Sequence, residues 1–251
     1  IMDDRPANPR PPSGPPPRGA LLREPLGLIE PLRLALGGRR LAGLPRGSGQ
    51  RVVLIPGFGT TDHWLWPLGR YLSWLGYRTE GWGLGRNTGR VPQLVPRLVE
   101  RVRAMADEDG GPVRLVGWSL GGYLAREVAR DLPAAVRCVV TFGSPVIGGP
   151  KYTASARHYV RNGFDLEEIA ARVADREAVP LRVPVTAIYS KRDGVVAWEA
   201  CIDHANPAVE HVEVPATHLG MGFSPEVYEI VARRLASPGA PDLASRSSAR
   251  P

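Results

Sequence analysis

The stretch that most constrains the fold is Gly117-Trp118-Ser119-Leu120-Gly121-Gly122. Residues 112–116 before it read as a short buried strand, and residues 123–132 after it read as a helix. A serine on so tight a strand-to-helix turn must take a strained backbone conformation. That is sterically open only if the positions two before and two after it carry no side chain. Gly117 and Gly121 meet that demand. The turn lifts the Ser119 hydroxyl above the sheet edge, at the positive end of the following helix, where an oxyanion can be stabilised.

The rest of the chain supplies the frame this turn needs. Residues 51–55 and 136–142 read as buried strands, residues 77–82, 184–189 and 209–214 as further strands, and residues 63–76, 91–107 and 224–235 as helices between or after them, the first burying one face on the sheet. Alternation of this kind predicts an α/β fold, with a mostly parallel sheet of about six strands, helices on both faces and a site at the carboxyl ends of the strands. A length of 251 residues suits one such domain, with a core that needs no disulfide or metal. The domain is expected over residues 51–236. Residues 1–19, dominated by Pro, Arg, Gly and Asn, read as a disordered tail, and residues 237–251 as a flexible one. Residues 20–50 read as short helical pieces packed on the domain, broken by Pro25, Pro31 and the Gly37-Gly38 pair.

Three strand ends carry the chemistry. Ser119 is at the first. Asp193 follows the strand over residues 184–189, where a carboxylate can fix a histidine tautomer; Asp203 is the second candidate acid. His218 follows the strand over residues 209–214, with Gly220 and Gly222 leaving room for an imidazole. His211 is mid-strand, and His63, His158 and His204 have no strand-end setting. Pro56-Gly57-Phe58-Gly59, after the strand over residues 51–55, can present a backbone amide, so the N–H groups of Phe58 and Leu120 are the candidate oxyanion donors. Asp62 reads as a helix cap beyond that turn, and Ser224 as the cap of the last helix.

This set resembles the α/β-hydrolase superfamily, in its bacterial lipase and esterase branch. The G-W-S-L-G run is similar to the nucleophile elbow, and the order Ser119, Asp193, His218 is similar to the family's order. Gly143-Ser144-Pro145 resembles the turn of bacterial lipases after which an insertion covers the site. Here that cap would run over residues 146–179, with one helix over residues 165–173. Trp118 stands where many lipases carry histidine. The resemblance implies cleavage of carboxylic esters through an acyl-enzyme. Acyl transfer on the same chemistry, or a silent binding module on the same fold, are the alternatives. Trp118, Val195, Val196, Trp198, Leu219 and Met221 flank the candidate residues in sequence and are expected to shape an apolar substrate pocket.

Charge and composition bound the partners. The net charge of +7 is carried almost wholly by arginine, and its densest stretch, Arg39, Arg40, Arg46 and Arg51, reads as a solvated face rather than a nucleic-acid site. Leucines spaced through residues 21–44, with Arg33, Arg39 and Arg40 among them, admit a weak membrane-surface association. The substrate expected is a small-molecule or lipid ester. Cys138 and Cys201 make no disulfide framework, no zinc spacing or phosphate-binding glycine loop occurs, and no cofactor or metal is expected. No export signal is visible, which favours the cytoplasm unless a leader has been trimmed.

Overall fold

The computed structural model describes residues 12–206 and 209–237; of the tails expected over residues 1–19 and 237–251, residues 1–11 and 238–251 lie outside them, and a 3-10 helix already begins at Arg18. Six parallel strands form one sheet: β1 (Arg51–Ile55), β2 (Arg78–Gly81), β3 (Val113–Trp118), β4 (Val136–Phe142), β5 (Val185–Tyr189) and β6 (Val209–Glu213). The spatial order is β2-β1-β3-β4-β5-β6. The chain steps from β1 to β2 in one direction and then crosses back to lay β3 on the other side of β1. The sheet therefore reverses its winding between β1 and β3, and a crevice opens there beyond their carboxyl ends. Ile55 pairs with Gly117 at this point, which sets the Gly57 turn beside Ser119.

The central strands are apolar on both faces because both are covered. Val52 and Leu54 point into one core with Val116, Val140 and Phe142, while Val53 and Ile55 point into the other with Leu115 and Val139. Helices α1 (Glu30–Leu36), α2 (Gly38–Ala42), α3 (Trp66–Trp74), α4 (Val91–Asp109), α5 (Leu120–Asp131), α6 (Ala156–Arg161), α7 (Leu166–Glu177) and α8 (Pro225–Ala236) surround the sheet. Leu68 and Leu72 of α3 and Tyr228 and Val231 of α8 fill the first core. Leu94, Leu98 and Val102 of α4 and Leu124 and Val128 of α5 fill the second. Helix α4 ends where Gly110 turns left-handed, with φ of 62°, and the Gly111 N–H returns to the Ala106 carbonyl at 3.0 Å.

Two capping expectations need correction. Asp62 does not cap a helix; its carboxylate accepts the Trp82 N–H at 3.1 Å and ties the turn after β1 to the end of β2. Ser224 does precede α8, but its hydroxyl donates to the Glu226 carboxylate at 2.6 Å instead of accepting a helix amide.

The N-terminal segment is a 3-10 helix over Arg18–Ile29 leading into α1 and α2. Leu41 and Leu44 enter the first core, and Arg33 and Arg40 pair with Glu226 and Glu229 of α8. Between β4 and β5 the chain forms three helical pieces, a 3-10 turn over Gly149–Tyr152 followed by α6 and α7, where the sequence signals one. Asp165 starts α7 by accepting the Glu167 N–H at 2.8 Å. Among the described residues no helix is long and apolar enough to cross a membrane.

Candidate active site

Ser119 has φ of 54° and ψ of −125°, and is the one residue other than glycine with positive φ among the described residues. Such a conformation costs on the order of 1–3 kcal/mol and persists only where the surroundings enforce it. Here the enforcement is close backbone approach. A Cβ on Gly117 would lie 2.5 Å from the Gly121 carbonyl oxygen, and one on Gly121 would lie 2.1 Å from the Ile55 oxygen. The Ser119 N–H donates to the Phe142 carbonyl at 2.8 Å, so β4 anchors the turn from behind. Ser119 is half-buried and opens onto a cavity of about 940 Å³.

Asp193 and His218 are brought to the same place. The His218 Nδ1–H donates to Asp193 Oδ2 at 2.7 Å. The other carboxylate oxygen, Oδ1, accepts the amides of Val195 at 2.8 Å and Val196 at 2.7 Å. The aspartate is thus fully satisfied and points one oxygen at the ring. Burial alone pushes the His218 imidazole toward its neutral form, but the charge and hydrogen bond of Asp193, with Glu24 behind, outweigh it and hold the pKa above the ordinary 6.5. With Nδ1 committed to Asp193, Nε2 is the nitrogen left to act as acceptor. His218 lines the cavity with Ser119, and its ring lies against Trp118 with centroids 5.6 Å apart. Among the described residues no hydrogen bond joins Ser119 Oγ to His218, whose ring nitrogen Nδ1 bonds to Asp193.

Phe58 and Leu120 both line the cavity, one on each side of the β1–β3 crevice. Neither backbone N–H has an acceptor among the described residues, so both remain free to donate. The Phe58 ring packs against His158 and Tyr159 of α6, with centroids at 5.4 and 5.6 Å, and joins this turn to the cap. Among the described residues no group of three or more His, Cys, Asp or Glu is arranged to hold a metal ion.

A family model described as the alpha/beta hydrolase family matches residues 52–246. The chain belongs to that family. Among solved structures, one from a study of the metagenome-derived lipolytic enzymes LipS and LipT is 15% identical, covers 77% of this chain and 94% of its own, and has a TM-score of 0.60. A monoacylglycerol lipase from Paleococcus ferrophilus is 16% identical, covering 77% of this chain and 95% of its own, with a TM-score of 0.56. The thioesterase domain from the curacin biosynthetic pathway is 13% identical, covering 77% and 93%, with a TM-score of 0.54. No curated protein sequence matches the chain. At these identities the likeness is one of fold.

The pocket of this alpha/beta hydrolase agrees only in part with what neighbouring positions in the sequence suggest. Trp118, Val195, Val196 and Leu219 line it; Trp198 and Met221 do not. The Trp198 ring stacks on Tyr189 at 5.7 Å beneath the Lys191 ammonium, and Met221 is fully buried in the first core. Both sit on 3-10 turns that aim successive side chains in different directions, so closeness in sequence to a site residue does not carry over to the cavity. Conversely, Trp64, in the segment over residues 63–76 that reads as a helix burying one face on the sheet, lines the cavity with its ring 5.8 Å from Trp118. Asp203, the second candidate acid, is held by Arg126 and lies apart from His218.

Proposed function

We propose that this alpha/beta hydrolase cleaves carboxylic esters with Ser119 as nucleophile, His218 as general base and acid, and Asp193 as the group that orients the imidazole. The observation that carries the reading is the strained Ser119, aimed into the same cavity as a buried histidine already hydrogen-bonded to a carboxylate. In the first half-reaction His218 Nε2 takes the Ser119 proton as Oγ attacks the ester carbonyl. The amides of Phe58 and Leu120 receive the oxyanion, an arrangement in which each donor is worth on the order of 10²–10³ in rate. The alcohol departs with the proton from His218. Water then repeats the sequence on the acyl-enzyme and frees the acid. Every step is carried by side chains and amides of the chain itself.

The cavity favours a bulky apolar ester over a small one. Its volume of about 940 Å³ is at the upper end of the range for ligand sites, and Tyr159, Phe164, Ile169 and Val173 of the cap contribute its far wall. A lipid source for that ester is favoured by the exposed leucines of the N-terminal segment, among them Leu22 (81% exposed), Leu28 (82%) and Leu36 (78%). With the net charge of +7, they suit weak docking on an anionic lipid surface. Co-sedimentation with vesicles containing phosphatidylglycerol, lost on Leu22→Ser/Leu28→Ser/Leu36→Ser, checks that docking; equal recovery of both proteins removes it.

The deciding experiment is hydrolysis of p-nitrophenyl esters, acetate to palmitate, by the unaltered protein and by Ser119→Ala. Turnover rising toward longer acyl chains and falling by on the order of 10⁴-fold or more in the variant is expected. Activity retained by Ser119→Ala overturns the assignment. Adding an acceptor alcohol and analysing products separates hydrolysis from acyl transfer, and silence toward every ester turns attention to a binding role.

A further inference from the structure

Glu24 is buried, lies outside the α/β core, and spends both carboxylate oxygens on the loops that carry Asp193 and His218. Its Oε1 accepts the Gly194 N–H at 2.8 Å and the His218 N–H at 3.1 Å, and its Oε2 accepts the Leu219 N–H at 2.8 Å. These amides belong to the residue after the aspartate, to the histidine itself and to the residue after it. One carboxylate therefore bridges two loops 25 residues apart in the chain, alongside the Asp193–His218 hydrogen bond and the bond from Arg192 Nη1 to the Pro215 carbonyl at 3.3 Å.

The contact is built for closeness on both sides. A Cβ on Gly194 would lie 2.4 Å from the Ala20 carbonyl oxygen and 2.9 Å from Glu24 Oε1, so a side chain there would push the 3-10 segment away. A Cβ on Gly27 would lie 2.6 Å from Thr217 Oγ1 and 2.9 Å from the Gly220 nitrogen. The segment is thus seated on the aspartate loop at one end and on the histidine loop at the other. Charge-assisted bonds from a carboxylate to backbone amides are about twice as strong as neutral ones.

We propose that Glu24 is a positioning residue that locks the Asp193 and His218 loops to each other, holding the imidazole where Ser119 can use it. The inference rests on the reading of His218 as the base. It also assigns a task to residues 18–29: they close the site from behind. The negative charge of Glu24 adds to that of Asp193 in raising the proton affinity of His218. Neutralising it therefore lowers the histidine pKa, a shift that loss of packing alone does not produce.

The test compares Glu24→Gln and Glu24→Ala with Arg23→Ala, an exposed neighbour on the same segment, in the full-length chain. His218 is titrated by NMR through its ring nitrogens, and kcat and KM are measured with a soluble ester. Both Glu24 variants are expected to move the His218 titration to lower pH. Glu24→Ala should reduce kcat by at least about tenfold with KM within about twofold, and Glu24→Gln by less, since one carbonyl oxygen can still accept. Arg23→Ala leaves both readouts unchanged. An unaltered His218 titration together with unaltered kcat in both Glu24 variants overturns the proposal. If neither variant folds, hydrogen exchange on the unaltered protein decides: the Gly194, His218 and Leu219 amides are expected to be strongly protected, and exchange at open-loop rates overturns the brace. If the unaltered protein hydrolyses no ester while the titration shifts as expected, the brace stands and the esterase reading falls. If it hydrolyses esters while titration and kcat ignore both Glu24 variants, the esterase reading stands and the brace falls.

Discussion

Two buried aspartates, Asp193 and Asp203, are built almost alike and face different partners. Each uses Oδ1 to accept the amides two and three residues ahead: Val195 and Val196 for Asp193, at 2.8 and 2.7 Å, and Ala205 and Asn206 for Asp203, both at 2.9 Å. Each turns Oδ2 toward one buried cation-forming side chain. For Asp193 the partner is His218 beside the cavity; for Asp203 it is Arg126, wholly buried and also bound to Glu177 at 3.0 Å. On the proposed mechanism the same local turn serves chemistry in one case and architecture in the other, according to the partner. An imidazole exchanges its proton near neutral pH, whereas a guanidinium keeps its charge at every accessible pH.

The comparison breaks most sharply on the first aspartate. Asp193→Asn keeps an oxygen for the two amides but turns an NH2 toward the histidine, which then must accept at Nδ1 and carry its proton on Nε2. With the wrong tautomer facing Ser119, kcat for ester hydrolysis should fall by on the order of 10⁴-fold. Circular dichroism should report an intact fold; a variant within tenfold of the unaltered rate removes Asp193 from the mechanism.

Arg126→Ala tests the other half. It leaves the buried Asp203 carboxylate without its cation, while Glu177 keeps Arg130 at 2.6 Å, and removing one partner of a buried ion pair costs about 3–5 kcal/mol. For a chain of this size the melting temperature should drop by on the order of 10 °C, while kcat per folded molecule at low temperature stays near its original value. A drop in kcat without a drop in stability would mean that the network reaches the site.

The two pairs also separate on the pH axis. In the proposed mechanism His218 must be neutral to accept the Ser119 proton, and its pKa is raised, so the acid limb of kcat/KM should lie above pH 6.5. A raised histidine pKa stabilises the fold fully below 6.5, and that contribution fades as pH rises through the folded value. For Asp203 burial by itself raises the pKa, but Arg126 and Asn206 outweigh it and lower it below 3.8. Its stabilisation is full above 3.8 and is lost only as pH falls through the folded value. Activity should thus decline on acidification well before acid unfolding begins, and coincident midpoints would contradict the division of roles.

How much of this was legible in the sequence follows from how local each cause is. The sheet was legible because β-branched runs and glycine-bounded turns act over a few residues, and so was the Ser119 turn, whose strain is enforced by Gly117 and Gly121. That Asp193 rather than Asp203 pairs with His218 was legible from its place at a strand end, but the Arg126 partnership that occupies Asp203 was not, because Arg126 is 77 residues away. Glu24 left no local signal at all, since its partners lie 170 or more residues downstream. Helix α6 left no signal because it is six residues long and its Tyr159 packs directly on Phe58 rather than along a helical stripe.

The same distinction between neighbours in sequence and neighbours in space yields the smallest effect. Trp198 follows Asp193 by five residues and Trp64 precedes it by far more, yet Trp64 is the one against the cavity. Its ring meets Trp118, which also lies against His218 and Phe142, so it extends the apolar wall outward from the candidate residues. Because it is 44% exposed, only part of its area is available to hold a substrate. Trp64→Ala should therefore raise KM for long-chain esters by about tenfold at nearly unchanged kcat, the mark of binding lost equally from ground and transition states. Short esters, which do not reach along the wall, should hardly notice. Trp198→Ala removes a ring that packs on Tyr189 and should leave both parameters in place for every chain length. If the two variants exchange these behaviours, the substrate lies along the Asp193 loop rather than across Trp118, and the direction of the acyl chain has to be redrawn.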